Sequence, residues 1–265
     1  MYQSGPKLYT EEYYEALLAI EGKHWWTLGM DDIMDRLLLP RLGRRKDLRI
    51  IDMGCGSGVG LAWARSRFDP ARLLGVDISE YGLQRCANRG AELMVGSVTD
   101  VPVEANSFDL AICNDVLQHM EDDQKAVNEA YRILAPGGLF FARTNARFIL
   151  PLNPGCLRLY TTQSLHKLLQ VAGFESVIVS PTNALGSLIA VAKHYALPAP
   201  KHGHHDDEHE SPANEGGILI KPKQARGASL AERLMRKTLS LEGAMMQRMR
   251  VPFGHTHIVL ARKPG

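Results

Sequence analysis

The sequence predicts an α/β fold in which a parallel, doubly wound sheet is covered by helices on both faces. Short apolar runs alternate with helical stretches along residues 47–181. Such runs are typical of parallel strands, which are buried on both faces and lack a polar side. The runs that predict strands are Leu48–Met53, Arg72–Asp77, Ala91–Gly96, Phe108–Cys113, Gly138–Thr144 and Phe174–Ser180. The stretches that predict helices between them are Val59–Arg67, Glu80–Arg89, Asp122–Leu134 and Thr162–Ala172.

Length and composition agree with a globular chain of this class. The chain has 265 residues, of which 45% are hydrophobic and 23% are charged. These fractions supply enough apolar surface for a core and exclude a chain that is disordered throughout. At roughly 150 residues per domain, the length suits one or two domains. The formal net charge of +2 argues neither for nor against a nucleic-acid partner.

The sequence predicts neither export nor a membrane span. No apolar run approaches the ~18–20 residues that cross a bilayer, and the first residues contain no basic stretch followed by an apolar one. The four cysteines are scattered, without a C-x-x-C pair or the spacing of a zinc site. We therefore expect a cytoplasmic protein with reduced thiols and no metal ion.

Residues 1–46 predict an N-terminal helical cover on the core. Thr10 can cap a first helix, since threonine oxygens accept the free N–H groups of a first turn. Apolar residues at helical spacing predict a second helix that starts at Asp31 and ends before Pro40, because proline interrupts helices.

His255–Arg262 alternates well enough to predict a final strand within residues 251–265. Residues 201–217 are polar and lack apolar periodicity, so we expect a flexible loop there. Its histidine and aspartate run, 202–209, lacks the ligand spacing of a closed zinc site. Ser229 can cap a last long helix.

A glycine-rich turn follows the first predicted strand and carries the strongest functional signal. Residues Asp52–Gly58 read Asp-Met-Gly-Cys-Gly-Ser-Gly and lead into a predicted helix. Glycine lets the backbone approach a ligand closely and adopt positive φ, and a helix N-terminus offers free N–H groups to an anion. The dinucleotide fingerprint fails because Val59 stands where its third glycine belongs, and the phosphate-binding Gly-Lys-Ser/Thr ending is absent. A nicotinamide oxidoreductase is therefore disfavoured.

Asp77 stands at the end of the second predicted strand, 19 residues after Gly58. In an open α/β sheet this position lies beside the glycine turn, at the carboxyl ends of the strands. A carboxylate there can accept hydrogen bonds from two neighbouring ribose hydroxyls.

Leu48–Leu139 resembles the class I S-adenosylmethionine-dependent methyltransferases. The matching segments, in order, are Asp52–Gly58, Asp77-Ile78, Phe108-Asp109-Leu110, Asn114–His119 and Arg132–Gly138. The resemblance implies a Rossmann-like seven-stranded sheet whose antiparallel last strand lies between strands five and six. It also implies one methyltransferase domain, with the cofactor in 47–181 and a lid in 182–250. The cofactor-binding residues it implies are Asp52, Gly54, Cys55, Gly56, Gly58, Asp77, Ile78, Ser97, Val98 and Asn114.

One position departs from the family pattern. Many relatives carry an acid after the glycine of strand three, where it contacts the adenine amino group, and this chain carries Ser97. We expect the Ser97 hydroxyl and the Val98 N–H to hold adenine, with Asp100 as the alternative if the loop is rearranged.

The flanking motifs are similar to those of a bacterial branch of the family. They are His24-Trp25-Trp26, Leu157–Thr162, Ala172-Gly173-Phe174 and Pro252–His255. Some members of that branch act on saccharides or on their lipid-linked and nucleotide-linked forms. The resemblance thus implies O- or N-methylation of a small-molecule or saccharide-related acceptor, with a phosphorylated or lipid-linked substrate as a variant.

His119 is the first candidate for a general base, since it follows strand four beside the expected methyl group and histidine titrates near neutrality. A histidine that only packs or caps its loop remains an equal alternative. His24 and His166 are weaker candidates. His255 and His257, near the last predicted strand, are the least favoured candidates.

Two further regions bear on the acceptor. Trp25 and Trp26 can form the wall of a substrate pocket or anchor a helix to the core. Residues 218–265 hold ten lysines and arginines against two glutamates, a net charge of +8. A basic helix with an apolar face can make a peripheral contact with an anionic membrane, receive a phosphorylated substrate, or serve as a lid with a solvated basic face.

Two other functions remain open from the sequence. One is a protein that binds S-adenosylmethionine without catalysis, for which Ser97 is the only hint. The other is a nucleic-acid methyltransferase, although Asn114–Leu117 differs from the Asn-Pro-Pro-Tyr motif of enzymes that methylate base amino groups. We expect no stable nucleic-acid partner.

Overall fold

A twisted sheet of seven strands forms the centre of the protein in a computed structural model, which describes residues 10–43, 45–148, 156–196 and 229–265. The strand order is β3-β2-β1-β4-β5-β7-β6, and β7 runs antiparallel to both of its neighbours. The predicted fold class is confirmed, including the antiparallel last strand between strands five and six. The strands are β1 Arg49–Met53, β2 Arg72–Asp77, β3 Glu92–Val95, β4 Phe108–Asn114, β5 Leu134–Asn145, β6 Glu175–Thr182 and β7 Thr256–Arg262.

Helices cover both faces of the sheet. Ile50 of β1 points into a core with α2, α3 and α8, while the next residue, Ile51, points into a core with α5 and α6. In the described part of the chain, no helix is long and apolar enough to span a bilayer. The helices are α1 Glu11–Ile20, α2 Trp25–Leu42, α3 Val59–Arg67, α4 Glu80–Arg85, α5 Asp123–Ile133, α6 Thr162–Ala172, α7 Ala184–Ala196 and α8 Leu230–Met245.

The predicted bounds of α2 are wrong at both ends. The helix begins at Trp25 because the Nδ1 atom of His24, an uncommon capping group, accepts the Trp26 N–H at 3.3 Å. The helix also continues through Pro40 to Leu42. Proline cannot donate to the carbonyl one turn earlier, and that carbonyl, on Arg36, instead accepts the side-chain N–H of Gln247 at 2.8 Å.

α1 lies over the glycine turn. Tyr14 is buried, and a Cβ on Gly56 or Gly82 would stand 3.7 Å or 2.9 Å from its ring. The missing side chain of Gly82 therefore makes room for the Tyr14 ring, whereas a Cβ on Gly56 would only touch it. Two ion pairs hold this region, Glu15–Arg85 at 2.6 Å and Glu21–Arg89 at 2.5 Å.

The predicted insertion, residues 182–250, contains α7 and α8, and α8 packs along α2. A Cβ on Gly29 of α2 would lie 2.5 Å from Leu239 of α8, so glycine permits this close approach. Arg236 forms a two-pronged ion pair with Asp32, with both N···O distances at 2.8 Å. Residues 201–217, with the histidine and aspartate run, lie outside the described residues. That the insertion covers a substrate site stays a prediction.

Glu242 of α8 joins the two helices of the insertion. Its carboxylate is buried and accepts the Thr182 hydroxyl at 2.7 Å and the N–H groups of Asn183 and Ala184 at 2.5 and 3.0 Å. These donors belong to the end of β6 and the start of α7. One side chain therefore caps α7 from a helix that is distant in the sequence.

Candidate active site

The glycine turn lies where β1 meets its neighbours β2 and β4, at the carboxyl edge of the sheet. Gly54 has φ +80°, and its N–H donates to the Val76 carbonyl at 2.7 Å. A Cβ at Gly54 would stand 2.3 Å from a methyl carbon of Val116, so only glycine fits there. Gly58 has φ +83° and is the N-cap of α3, where it supplies no side-chain hydrogen bond to the first turn.

Asp77 ties the end of β2 to the glycine turn. It is buried, and its two oxygens accept the N–H groups of Gly56 and Ser79, both at 2.8 Å. Each carboxylate oxygen accepts more than one hydrogen bond, so both can still receive a hydroxyl. The next residue, Ile78, leaves 63% of its surface in water. An apolar side chain exposed at this place suits the face of an adenine ring.

Ser97 and Val98 form the turn after β3. The Ser97 hydroxyl accepts the Thr99 N–H at 3.2 Å and lies 2.8 Å from the Thr99 hydroxyl, while Val98 is buried. Asp100 is exposed, and its N–H donates to the Ser97 carbonyl at 3.2 Å. The contact of Ser97 and Val98 with adenine, and Asp100 as the alternative, stay predictions.

The side chains of Asp52 and Cys55 lie beneath the turn. Asp52 accepts the Leu61 N–H of α3, and a Cβ on Gly60 would come within 2.3 Å of its carboxylate. Burial, reinforced by the charge of Asp77, raises the pKa of Asp52 to about 7. Cys55 is also buried, so the turn presents its backbone to a ligand.

Asn114 ends β4 beside the turn and has an unsatisfied acceptor. Its Oδ1 is buried and has no hydrogen-bond partner among the described residues. Its Nδ2 lies 3.9 Å from the sulfur of Met34. A buried acceptor without a donor costs about 1–3 kcal/mol, and the ammonium group of the predicted cofactor is a suitable donor. The glycine turn, Asp77, Ile78 and Asn114 therefore fit that cofactor.

A charged cluster that sequence reasoning missed lies at the ends of β4 and β5. Asp115 has φ +57°, an uncommon conformation for a residue with a side chain. Arg143 donates to the Asp115 carboxylate through Nε, at 2.8 Å, and through Nη2. Asp31 of α2 feels the charge of Arg143, but burial dominates and raises the pKa of Asp31 to about 6. An arginine near the end of an otherwise apolar strand was the signal available in the sequence.

Trp26 lies against this cluster. The Arg143 guanidinium carbon is 5.9 Å from the centre of the Trp26 ring, and the His255 ring is stacked on Trp26 at 6.0 Å. Trp25 meets Trp26 edge-on at 6.0 Å, and both tryptophans pack against the core while remaining partly exposed. Trp26 can therefore anchor α2 to the core and also form the wall of a pocket. Its contact with a substrate stays a prediction.

Of the two histidines near β7, only His255 lies beside Trp26. Its Nδ1 is 2.8 Å from the Ser187 hydroxyl and its Nε2 is 3.0 Å from the Asn183 amide nitrogen. His257 contacts the Thr162 hydroxyl at 3.2 Å, and burial lowers its pKa to about 4. His257 therefore remains neutral at physiological pH.

His119 lies in a 3₁₀ turn, Leu117–His119, that follows β4. Its N–H donates to the Val116 carbonyl at 2.9 Å, and its ring is half-buried. Its role as a base stays a prediction. Of the weaker candidates, His24 caps α2, and burial lowers its pKa, while His166 is exposed on α6.

Tyr160 supports the turn that carries His119. Its hydroxyl is buried, 3.0 Å from the Leu117 carbonyl and 2.7 Å from the Asp123 carboxylate. We expect Tyr160→Phe to lower the free energy of unfolding by about 2 kcal/mol, as for other hydrogen bonds to charged groups. Urea denaturation measures the change, with Tyr131→Phe as the matched control. A cost for Tyr160→Phe no larger than that of the control would contradict this support.

Residues 51–142 match a protein-family model described as a methyltransferase domain. A probable S-adenosylmethionine-dependent methyltransferase of Mycolicibacterium smegmatis is 29% identical over 162 residues, which cover 58% of this chain and 60% of that protein. A fatty-acid O-methyltransferase of the same organism is 33% identical over 104 residues, 37% of each chain. The chain therefore spans less than two thirds of the length of these relatives. The family resemblance seen in the sequence is confirmed for residues 51–142.

Solved structures share the fold at low sequence identity. Phosphoethanolamine N-methyltransferase 2 of Haemonchus contortus, in complex with S-adenosyl-L-methionine, matches with a TM-score of 0.61 and 18% identity. The match covers 98% of this chain and 58% of that one. An S-adenosylmethionine-dependent methyltransferase of Mesorhizobium loti matches with a TM-score of 0.53 and 18% identity, over 87% of this chain and 97% of that one.

Proposed function

We propose, on the premise that residues 51–142 form a class I S-adenosylmethionine-dependent methyltransferase domain, that this protein methylates an oxygen or nitrogen atom of a small-molecule acceptor. The observation that carries the proposal is the buried Asp77 carboxylate, which accepts the Gly56 N–H of the glycine turn and has further acceptor capacity on both oxygens. We propose the cytoplasm as its location, since the four cysteines are free and buried.

The residues that would hold the cofactor surround the glycine turn. Asp77 would accept the ribose hydroxyls, and Ile78 and Val98 would flank the adenine ring. The Oδ1 of Asn114 would accept the ammonium group, and the backbone from Gly54 to Gly58 would lie along the methionine part. The bound cofactor supplies a methyl group activated by a sulfonium centre. The protein's own contribution is then to align an acceptor with that methyl group and to exclude water.

The charged cluster beside Asn114 is the proposed acceptor site. Arg143, Asp115 and Asp31 supply charged groups, and Trp26 supplies an aromatic face. A small number of polar groups beside an aromatic wall is typical of sites that bind small molecules. An acceptor hydroxyl or ammonium must also lose a proton. His119 is the proposed base, and Asp31 is a second candidate because burial brings its pKa to about 6.

The kind of small molecule that is methylated is a further part of the proposal. A saccharide-related acceptor is supported by the aromatic face of Trp26 beside the Arg143–Asp115 pair, which together suit a ring bearing hydroxyls. A phosphorylated or lipid-linked form of that acceptor is the variant we propose to test. Named relatives act on other molecules, among them a 2-methyl-6-phytyl-1,4-hydroquinone methyltransferase of Oryza sativa and the fatty-acid O-methyltransferase. These names favour a small molecule over a macromolecule as the acceptor.

Calorimetry with S-adenosylhomocysteine and with NAD tests the cofactor. We expect binding of S-adenosylhomocysteine alone, and binding of NAD alone would overturn the proposal. Transfer of a labelled methyl group from S-adenosylmethionine to a panel of sugar phosphates, polyprenyl-linked sugars, hydroquinones and fatty acids then tests turnover. Cofactor binding without transfer to any class would favour the catalytically inactive alternative, and transfer only to RNA or DNA would favour a nucleic-acid methyltransferase.

Trp26→Ala separates the acceptor site from the cofactor site. We expect the variant to raise the KM for the acceptor about tenfold or more, with little change in the affinity for S-adenosylhomocysteine. A tenfold change corresponds to a loss of about 1.4 kcal/mol of binding free energy. Trp63→Phe, a change in the core between α2 and α3, is the control. Equal losses of acceptor and cofactor affinity in Trp26→Ala would exclude the pocket-wall role.

A further inference from the structure

The outward face of α8 carries leucines that the fold leaves in water. Leu230, Leu234 and Leu241 are 83%, 56% and 62% exposed, whereas Leu239 of the same helix is fully buried. A surface helix ordinarily presents polar residues on the side away from the core. The three leucines are therefore anomalous for a helix that is already packed on one side.

These leucines form one stripe. With 3.6 residues per turn, positions 230, 234, 237 and 241 fall within about a sixth of the helix circumference. The opposite side of α8 is packed against the rest of the protein. Leu239 and Gly243 contact α2, and Glu242 caps α7. The leucine stripe thus contributes nothing to the packing of α8 on α2.

The charges beside the stripe are all positive. Arg233 and Lys237 are exposed on this face, and neither forms an ion pair with a described residue. Arg248 and Arg250 follow the helix and are also exposed. The two acids of α8 are used elsewhere, Glu232 in the capping box with Ser229 and Glu242 beneath the helix.

We propose that this leucine and cation face of α8 docks on the surface of an anionic lipid bilayer. Exposed leucines flanked by lysine and arginine are the pattern of helices that lie in the membrane interface, with the apolar side at the acyl boundary and the cations among the headgroups. The sign of the charge selects the partner, because a cationic face gains from phosphate-bearing lipids and gains nothing from neutral ones.

The helix that carries the docking face reaches the proposed acceptor site with its other side. Arg236, in the N-terminal half of α8, pairs with Asp32, the neighbour of Asp31. The charge of Glu232 acts on His24, which precedes the two tryptophans. A bilayer docked on α8 would therefore lie on the outer side of a helix whose inner side is near that site, and an acceptor with a lipid tail would be favoured. This consequence rests on the proposed function, while the docking itself does not.

Co-sedimentation of the full chain with vesicles tests the proposal. Vesicles of phosphatidylcholine alone are compared with vesicles that also contain phosphatidylglycerol, at about 0.1 M salt, where the Debye length is about 10 Å. We expect binding to the anionic vesicles only. The triple variant Leu230→Ser, Leu234→Ser, Leu241→Ser and the double variant Arg233→Glu, Lys237→Glu are each expected to lose at least tenfold in the partition coefficient.

Val171→Ser is the matched control, because Val171 is 61% exposed on α6, which covers the other face of the sheet. We expect it to bind vesicles as the wild type does. Binding of S-adenosylhomocysteine is expected to be the same in all variants, which shows that they are folded and separates this test from that of the catalytic proposal.

Three results would overturn the proposal. One is the absence of binding to anionic vesicles, and another is undiminished binding by the triple leucine variant. The third is a wild-type dimer in light scattering that the triple variant converts to a monomer, since a second copy of the chain would then cover the stripe.

Discussion

Replacing Asp77 with alanine is expected to lower the affinity for S-adenosylhomocysteine at least about a hundredfold. Two hydrogen bonds from ribose hydroxyls to a carboxylate contribute about 1.5 kcal/mol each at the lower end of their range, and every 1.4 kcal/mol changes the dissociation constant tenfold. The variant also removes the acceptor of the Gly56 N–H, so the glycine turn loses a hydrogen bond that holds it in place. Both effects act in the same direction.

Calorimetry measures this change, and two further variants refine it. Asp77→Asn keeps one acceptor oxygen and should lose less affinity than Asp77→Ala. Asp100→Asn removes an exposed acid after β3 and should bind as the wild type does if Ser97 and Val98 hold adenine as proposed. A loss of affinity of less than threefold in Asp77→Ala would contradict the role of Asp77 in binding the ribose. A large loss of affinity in Asp100→Asn would favour the alternative in which a rearranged loop brings Asp100 to the adenine.

Glu242→Ala is expected to lower the free energy of unfolding by about 3 kcal/mol or more. The change strands three donors, of which the Thr182 hydroxyl and the Asn183 N–H belong to buried residues, and each buried donor left without an acceptor costs about 1–3 kcal/mol. It also removes the carboxylate that links α8 to the start of α7. The effect is large for a substitution far from the cofactor.

Urea denaturation measures the loss, and Glu175→Ala provides the control. Glu175 is an exposed residue of β6, so its replacement should change stability by no more than about 0.5 kcal/mol. Glu242→Gln keeps one acceptor and should fall between the two. A cost below about 1 kcal/mol for Glu242→Ala would mean that water takes over the three donors.

Elements whose signals are local could be predicted from the sequence. The strand Arg72–Asp77 and the helices Val59–Arg67 and Thr162–Ala172 have the predicted bounds. In the last of these, Thr161 caps the first turn and Gly173 adopts φ +95° after the final one. The glycine turn and Asp77 were also recognisable, because their spacing along the chain reflects a single β-α-β unit.

Features that depend on distant partners could not be predicted. The passage of α2 through Pro40 depends on Gln247, and the cap of α7 depends on Glu242. The charged cluster behaves in the same way, since Asp31 and Arg143 meet only when α2 packs against the strand ends. None of these pairs leaves a periodic or spaced pattern in the sequence.

The seat of Tyr14 against the glycine turn has a kinetic consequence. A ligand bound along Gly54–Gly58 shares its surroundings with the Tyr14 ring, so its residence time depends on how often α1 lifts away. The Glu15–Arg85 and Glu21–Arg89 ion pairs oppose that motion. Salt weakens exposed ion pairs such as Glu15–Arg85, and the exchange of spent cofactor for fresh cofactor should therefore quicken as ionic strength rises.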